Sequence, residues 1–337
     1  MLQYIVKRLF LSVITLLVIM FASYCMLRLA PGSDAAVRSN FMENSSGGVS
    51  SSEKNEYAEN ESLKQKLKLD KPIHIGFAEW IADIVLRGDF GESATVQPGK
   101  PVLEMISERL PVTIKLNLLA ITGAYIIAII IGVYSARYSE SIFDRTTSVV
   151  LFLLYSLPAM WVAMLLQSTL CEGGIWEVFP LQGFYEPDAK TGTFDAILKE
   201  IYHFTLPAVC LAYGSMTGLA RYARSNMLDV LNSDFIRSAR AKGVSETKVL
   251  WKHAFGNTLI TLVTLFAGLL PSLIAGSIII EHIFNIPGMG TLSLLALSSR
   301  DYPLLMVLFA FSGALTLFGI LLADILYTVV DPRVKLK

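Results

Sequence analysis

Six stretches without a charged side chain constrain what this chain can become. One covers residues 9–27; the others cover 116–136, 146–170, 205–220, 258–280 and 303–323. All but the shorter fourth are close to the ~20 residues an α-helix needs to cross the hydrocarbon core of a bilayer. The 337 residues are 53% hydrophobic and 17% charged, which is too apolar for a soluble domain of this size. The expected fold class is an all-α integral membrane protein with six transmembrane helices. Lys7 and Arg8 precede the first run, as they do in a secretory signal peptide. The run is longer than a signal core, so a retained helix is expected. Pro158 and Pro271 fall inside two of the runs. Such prolines are tolerated where neighbours resatisfy the freed carbonyl, and the sequence assigns neither one a hinge role.

The polar segments between the runs set an orientation. With the amino terminus in the cytoplasm, the cytoplasmic side holds Lys7, Arg8, Arg137, Arg145, a basic island, and Arg333, Lys335 and Lys337. The opposite side receives a long mixed segment over 33–110, an acidic loop over 172–204 with six acids and two bases, and a short loop over 281–302. The bias of Lys and Arg toward the cytoplasm favours this arrangement, with both termini inside. Ser45–Ser52 is Ser/Gly-rich and reads as a flexible stretch. Phe77, Trp80, Ile81, Ile84 and Leu86 form an amphipathic stretch, read as part of an extracytoplasmic cap on the helix ends. Trp176–Phe184 is aromatic and reads first as an interface anchor.

The basic island lies between the fourth and fifth runs. From Arg221 to Asn257 it has seven Lys/Arg against three Asp/Glu. It reads as two short helices with a break. Asp234 caps the first, whose apolar edge is Phe235, Ile236 and Ala239. Gly243 suits the left-handed residue that ends it. Ser245 caps the second, with Val249, Leu250, Ala254 and Phe255 as its buried face. Small residues Ser238, Ala239 and Ala241 leave a low surface among Arg237, Arg240 and Lys242. From pattern alone, this is either an ordinary solvated loop or a docking ledge for a soluble partner.

The wording of the island narrows the choice. Phe235-Ile-Arg-Ser-Ala-Arg-Ala-Lys-Gly243 resembles the "EAA" loop of the permeases of ATP-binding-cassette (ABC) importers, in the form of the oligopeptide, dipeptide and nickel branch. Ser-Ala-Arg stands where that motif has Glu-Ala-Ala, so its acidic residue is absent. Other stretches resemble the same branch: Ala30-Pro-Gly32, Arg87-Gly-Asp-Phe-Gly-Glu-Ser93, Glu108-Arg-Leu-Pro-Val-Thr113, Glu281-His-Ile-Phe-Asn-Ile-Pro-Gly-Met-Gly290, Arg300-Asp-Tyr-Pro303 and Asp324-Ile-Leu-Tyr-Thr-Val-Val-Asp-Pro-Arg333. In Glu281–Gly290, Pro287 fixes one dihedral while Gly288 and Gly290 permit tight turns. Asp324 reads as the partner of a nearby Arg at the cytoplasmic end of the last helix.

The resemblance implies a type I ABC-importer permease fold. Its parts are a first helix over 1–31, an extracytoplasmic segment over 32–110 and a transmembrane domain over 111–331. Helices of that domain are expected at about 116–136, 146–170, 205–221, 258–280 and 303–324, with a cytoplasmic coupling loop over 222–257. The resemblance also implies that Asp234, Phe235, Arg237, Ser238, Ala239, Arg240, Ala241, Lys242 and Gly243 form the surface that meets an ATPase. Glu281, Phe284, Pro287, Gly288 and Gly290 are implied to re-enter toward the solute path near the outer face. Implied partners are a second homologous permease, two ATP-binding subunits and an extracytoplasmic solute-binding protein, in the bacterial cytoplasmic membrane.

Several classes of chemistry find no support. There is no GxxxxGK[ST] for phosphate, and the four histidines are scattered. Three cysteines without CxxC spacing make neither a disulfide framework nor a zinc site. Glu281 and His282 are adjacent and point about 100° apart on a helix, so they do not chelate. No catalysis, cofactor, metal or nucleic acid is expected; the surroundings are membrane lipid. An ion-coupled secondary transporter is the rival class, but the runs almost lack the midplane ionisable groups it needs. Peptide is the first substrate reading, with nickel or another small solute as the alternative.

Overall fold

The computed structural model describes residues 2–29, 71–185, 192–269 and 276–330. Ala30-Pro-Gly32, the Ser/Gly-rich stretch 45–52, Pro271 and Asp331-Pro-Arg333 lie outside the described residues. Within them the chain is helical, with only isolated bridges at Glu92–Pro101 and Cys171–Phe179.

The helices, in chain order, begin with α1 (Leu2–Leu29) and α2 (Ile73–Ala82), the latter prolonged by a π turn at Asp83–Arg87. Next come α3 (Val102–Arg137), α4 (Ile142–Ser156), α5 (Ala159–Leu170) and α6 (Thr193–Leu231). α7 is Asp234–Ala241. α8 runs from Glu246–Lys248 through a π segment at Val249–Ala254 into Phe255–Leu269. α9 (Ile278–Ile283), α10 (Met289–Ser298) and α11 (Tyr302–Val330) complete the set. Among the described residues, three helical stretches are long and apolar enough to span a bilayer by themselves: Val6–Met26, Val102–Arg137 and Tyr302–Ile325.

The other expected spans differ in ways the chain explains. The 146–170 run is two helices, α4 and α5, bent by 96°. Pro158 removes an N–H and pushes Leu157 into extended backbone (φ −79°, ψ 132°). The Leu157 carbonyl accepts the Tyr213 hydroxyl at 2.9 Å, so the break leaves it satisfied. The 205–220 run is the middle of α6, whose 39 residues extend about 58 Å at 1.5 Å per residue, well beyond a bilayer core. The 258–280 run is not one helix either. α9 starts afresh at Ile278 after Ser277, whose hydroxyl accepts the Ile280 N–H. The second helix enters earlier than expected: α3 starts at Val102 and carries Pro111 within it.

Backbone contacts divide the chain into two compact units. One comprises Leu2–Glu108 and Leu292–Leu317. Its aromatic cluster is Tyr24 of α1 with Phe77 and Trp80 of α2, packed with Met306 and Tyr302. Phe21 and Phe77 meet edge to face at 5.1 Å between centroids. Phe77 and Trp80 of the expected amphipathic stretch thus pack on α1, whereas Leu86, expected with them, is exposed.

The other unit comprises Arg109–Thr291 and the chain from Phe318 onward. α3 and α6 touch at Gly132, where a Cβ would stand 2.5 Å from the Ala223 Cβ and 2.8 Å from the Ala220 carbonyl oxygen. Only glycine permits that approach. One cluster at the island joins Val133, Ala136, Met227, Ile236, Val249, Leu250 and Ala254. A second joins Leu116, Ala163, Phe204, Phe284 and Ile286.

Candidate functional sites

The island folds as a short amphipathic helix held from beneath. Ile236 of α7 is fully buried in the cluster with Met227, Val249 and Leu250. Phe235 is exposed and Ala239 half-buried, so Ile236 alone anchors the helix deeply. Ser233, not Asp234, occupies the N-cap position, in extended backbone, and Asp234 falls in the first turn. There its charge complements the helix dipole. The carboxy-terminal end matches expectation. Gly243 has φ +73°, its N–H donates to the Arg240 carbonyl, and the Val244 N–H donates to the Ala239 carbonyl. That pair of bonds is a Schellman closure.

The second short helix of the island is not separate: Ser245 starts α8, which continues into the following apolar run. Of the expected buried face, Val249, Leu250 and Ala254 are buried, while Phe255 is half-buried.

The upper face of α7 is polar and open. Arg237, Ser238, Arg240, Ala241, Lys242 and Gly243 are exposed. Arg237 lies 3.7 Å from Asp234, and Arg240 forks onto Glu246 at 2.8 and 3.3 Å. Arg240 therefore staples α7 to the start of α8.

Beneath the platform is a joint that the sequence did not disclose. Arg224 of α6 donates from Nε and Nη2 to the two carboxylate oxygens of Asp144 at 2.7 and 2.6 Å. Asp144 also accepts the Glu140 N–H and is buried at the start of α4. The Arg224 guanidinium holds its carboxyl below the usual carboxylate range. A bidentate fork of this kind fixes orientation as well as charge. The one sign of Asp144 in the sequence is its place three residues after Ser141, a helix-start pattern.

The other candidate group surrounds Glu281. This carboxylate is fully buried. Thr113 donates its hydroxyl at 3.1 Å and Thr291 its N–H at 3.0 Å. The Thr113 oxygen in turn accepts the Met289 N–H at 2.8 Å. Burial pushes the Glu281 carboxyl above its ordinary pKa, and these hydrogen bonds offset the shift only in part.

Three glycines close on that carboxylate. A Cβ on Gly276, Gly288 or Gly290 would come within 2.7, 2.5 and 2.9 Å of its oxygens. Gly288 and Gly290 were expected to serve tight turns, yet neither is among the positive-φ residues. At 288 the carboxylate and the Thr113 hydroxyl occupy the room a side chain needs; at 290 the Ser277–Ile278 backbone does so first, at 2.7 and 2.8 Å, with the carboxylate just beyond. Phe284 is buried in the neighbouring cluster, and Pro287 is half-buried. Gly183 donates its N–H to the Phe284 carbonyl at 2.8 Å, and Gln167 donates to the Ile283 carbonyl at 2.7 Å. The Glu108–Thr113, Trp176–Phe184 and Glu281–Gly290 stretches thus meet around one segment.

The first unit contains a comparable joint. Asp301 is fully buried. It accepts the Ser93 hydroxyl and the N–H groups of Ala94, Thr95 and Val96. Burial alone pushes this carboxyl up, but the combined donors reverse the effect and hold it below its ordinary value.

Comparison with known proteins gives a consistent picture. Residues 128–336 match the family described as binding-protein-dependent transport system inner membrane component, and residues 1–117 match its amino-terminal counterpart. The chain is 37% identical to the oligopeptide transport system permease protein AppB of Bacillus subtilis, over 99% of this chain and 100% of that protein. It is 34% identical to the oligopeptide transport system permease protein OppB of Mycobacterium tuberculosis, over 80% of this chain and 83% of that protein.

Proposed function

Since this chain belongs to the binding-protein-dependent transport system inner membrane components, a family of multi-pass membrane permeases, we propose that it forms half of the pore of an ATP-driven peptide importer. The observation that carries the reading is its near full-length likeness to an oligopeptide transport permease. A second homologous permease supplies the other half of the pore. Two separate subunits bind and hydrolyse ATP, and an extracytoplasmic binding protein delivers the peptide. The chain lies in the bacterial cytoplasmic membrane with both termini inside. Its segments are a first helix over 1–31, an outer segment over 32–110 and a transmembrane domain over 111–331 with its coupling loop at 222–257.

The energetics follow from the sequence. The spans carry almost no ionisable groups for coupling to an ion gradient. A two-state pore moves only if some ligand binds its two states with different affinity. Nucleotide on the ATPases provides that difference through α7. The exposed Arg237 and Lys242 orient the platform, Arg240 braces it against Glu246, and Ala239, Ala241 and Gly243 allow close approach. Ile236 and the Arg224–Asp144 fork carry its movement into α6 and α4. Near the outer face, the Glu281–Gly290 segment borders the solute path, with Glu281, Phe284, Pro287, Gly288 and Gly290 holding its shape.

The test is reconstitution in lipid vesicles with the companion permease, both ATPases and the binding protein. Uptake of labelled trialanine should require ATP inside the nucleotide compartment. Uptake without nucleotide, driven by a proton or sodium gradient, would sink the reading.

A further inference from the structure

A cavity of about 1030 Å³ opens among α3, α4 and α6, at the upper end of the ~300–1,000 Å³ typical of small-molecule sites. Arg221 and Arg224 of α6 line it, three residues apart and so on one face of the helix. Ser135 of α3 and Ser148, Phe152 and Tyr155 of α4 complete the part that bears on recognition.

The two arginines differ. Arg224 is neutralised by the fork to Asp144. Arg221 is exposed and forms no ion pair among the described residues, and no acidic side chain lines the cavity. Ser135 is 3% exposed, yet its side chain makes no hydrogen bond among the described residues. Its oxygen is not one of the fully buried atoms left without a partner, so it opens to the cavity, where a polar ligand can take its hydrogen bond. Phe152 and Tyr155, 65% and 64% exposed, offer apolar ring surface beside it.

An unneutralised guanidinium, a hydroxyl open to the cavity and an aromatic wall together fit a small molecule with an anionic end and an apolar side group. We infer that the cavity receives the carboxy-terminal end of the imported peptide. Arg221 holds the terminal carboxylate, Ser135 meets the last peptide group, and the last side chain rests on Phe152 and Tyr155. The inference rests on the peptide-import reading above. A lipid phosphate shares the anionic chemistry, and the experiment separates the two.

The experiment uses the full complex in vesicles, with its binding protein and ATPases. The probe is dialanyl-p-benzoylphenylalanine with a free carboxylate, irradiated during turnover, and labelled residues are mapped by mass spectrometry. Labelling should fall on the α4 and α6 walls of the cavity in the wild type. Arg221→Gln should lower it about tenfold per peptide imported, as loss of a charge-assisted hydrogen bond implies, and Arg221→Lys should retain most of it. Labelling elsewhere in the wild type overturns the inference without recourse to any variant. So does equal labelling in Arg221→Gln. If that variant instead changes assembly only in vesicles containing phosphatidylglycerol, with labelling per complex intact, Arg221 serves a lipid headgroup and the inference fails. Import of trialanine without cavity labelling removes this inference alone. Failure of the wild type to import either peptide removes the functional reading as well.

Discussion

Ser93 Oγ donates a 2.6 Å hydrogen bond to Asp301 Oδ2, closing a loop of 208 residues. The N–H groups of Ala94, Thr95 and Val96 point at the same carboxylate. The end of the Arg87–Ser93 stretch and the Arg300–Pro303 stretch are therefore two halves of one joint, at the amino-terminal end of α11.

Removing the hydroxyl tests that joint. Ser93→Ala leaves a buried carboxylate short of one donor and should cost about 1–3 kcal/mol. The pH dependence has a definite sign. The Asp301 carboxyl is held below its ordinary value, so its stabilisation is complete above the unfolded pKa of about 3.9 and decays as pH falls through the folded value. The protection factor of the amides at residues 93–96, which is the exchange rate referred to the intrinsic rate at each pH, should fall in the wild type as pH drops from about 6 to about 3 through this linkage. Asp301→Asn should lack that component of the fall.

Gly288 and Glu281 make a second, steric prediction. A methyl group at 288 would stand 2.5 Å from a Glu281 oxygen and from the Thr113 hydroxyl. Gly288→Ala should destabilise by about 1–3 kcal/mol, as overpacking does. Adding Glu281→Ala removes one of those two neighbours and relieves part of the clash, the Thr113 hydroxyl remaining. The double variant should therefore lose less than the sum of the two single losses, measured by thermal unfolding in detergent. Strict additivity would show that the glycine serves some other purpose.

The Asp144–Arg224 fork predicts a charge-order effect. Asp144→Asn and Arg224→Gln should each cost about 1–3 kcal/mol, since the pair is only partly screened from water. Combining Asp144→Arg with Arg224→Asp should recover part of the loss. The quantity to compare is peptide uptake per ATP hydrolysed, because a fork that only held the fold together would restore stability and coupling in step.

The platform itself is tested at two positions. Gly243→Val forces a β-branched residue into φ +73° and should cost about 1–2 kcal/mol by undoing the closure of α7. Ala241→Trp adds bulk to an exposed face and should change stability by no more than about 0.5 kcal/mol. Both should lower uptake while ATP hydrolysis continues. Normal uptake in Ala241→Trp would remove α7 from the coupling surface.

Much of the candidate machinery was legible as strings. Gly243 announced a left-handed helix end, and the spacing of Val249, Leu250 and Ala254 announced a buried face; both appear in the structure. The same strings did not say whom they touch. Thr113 was read as part of a helix entry, yet its hydroxyl reaches Glu281 across 168 residues. Gly288 and Gly290 suggest backbone freedom, yet distant neighbours exclude their side chains: the Glu281 carboxylate and Thr113 hydroxyl at 288, the Ser277–Ile278 backbone and the carboxylate at 290. Asp144 is legible only as the acid of a helix-start spacing after Ser141. Its importance comes from Arg224, 80 positions away.

The sequence by itself determined that this chain lives in a bilayer as helices. That choice is local: an uncharged run of spanning length has no other low-energy state in lipid, whatever its neighbours are. It also marked where charge concentrates, because a block of arginine and lysine resists burial wherever it stands. Only the tertiary structure decided the rest. It placed the break at Leu157–Pro158, met there by the Tyr213 hydroxyl. It fused the second island helix into α8, and it paired Ser93 with Asp301, Thr113 with Glu281 and Asp144 with Arg224. Those outcomes depend on which distant groups arrive at the same point, and a buried carboxylate takes whichever donors the packed helices bring within about 3 Å of it.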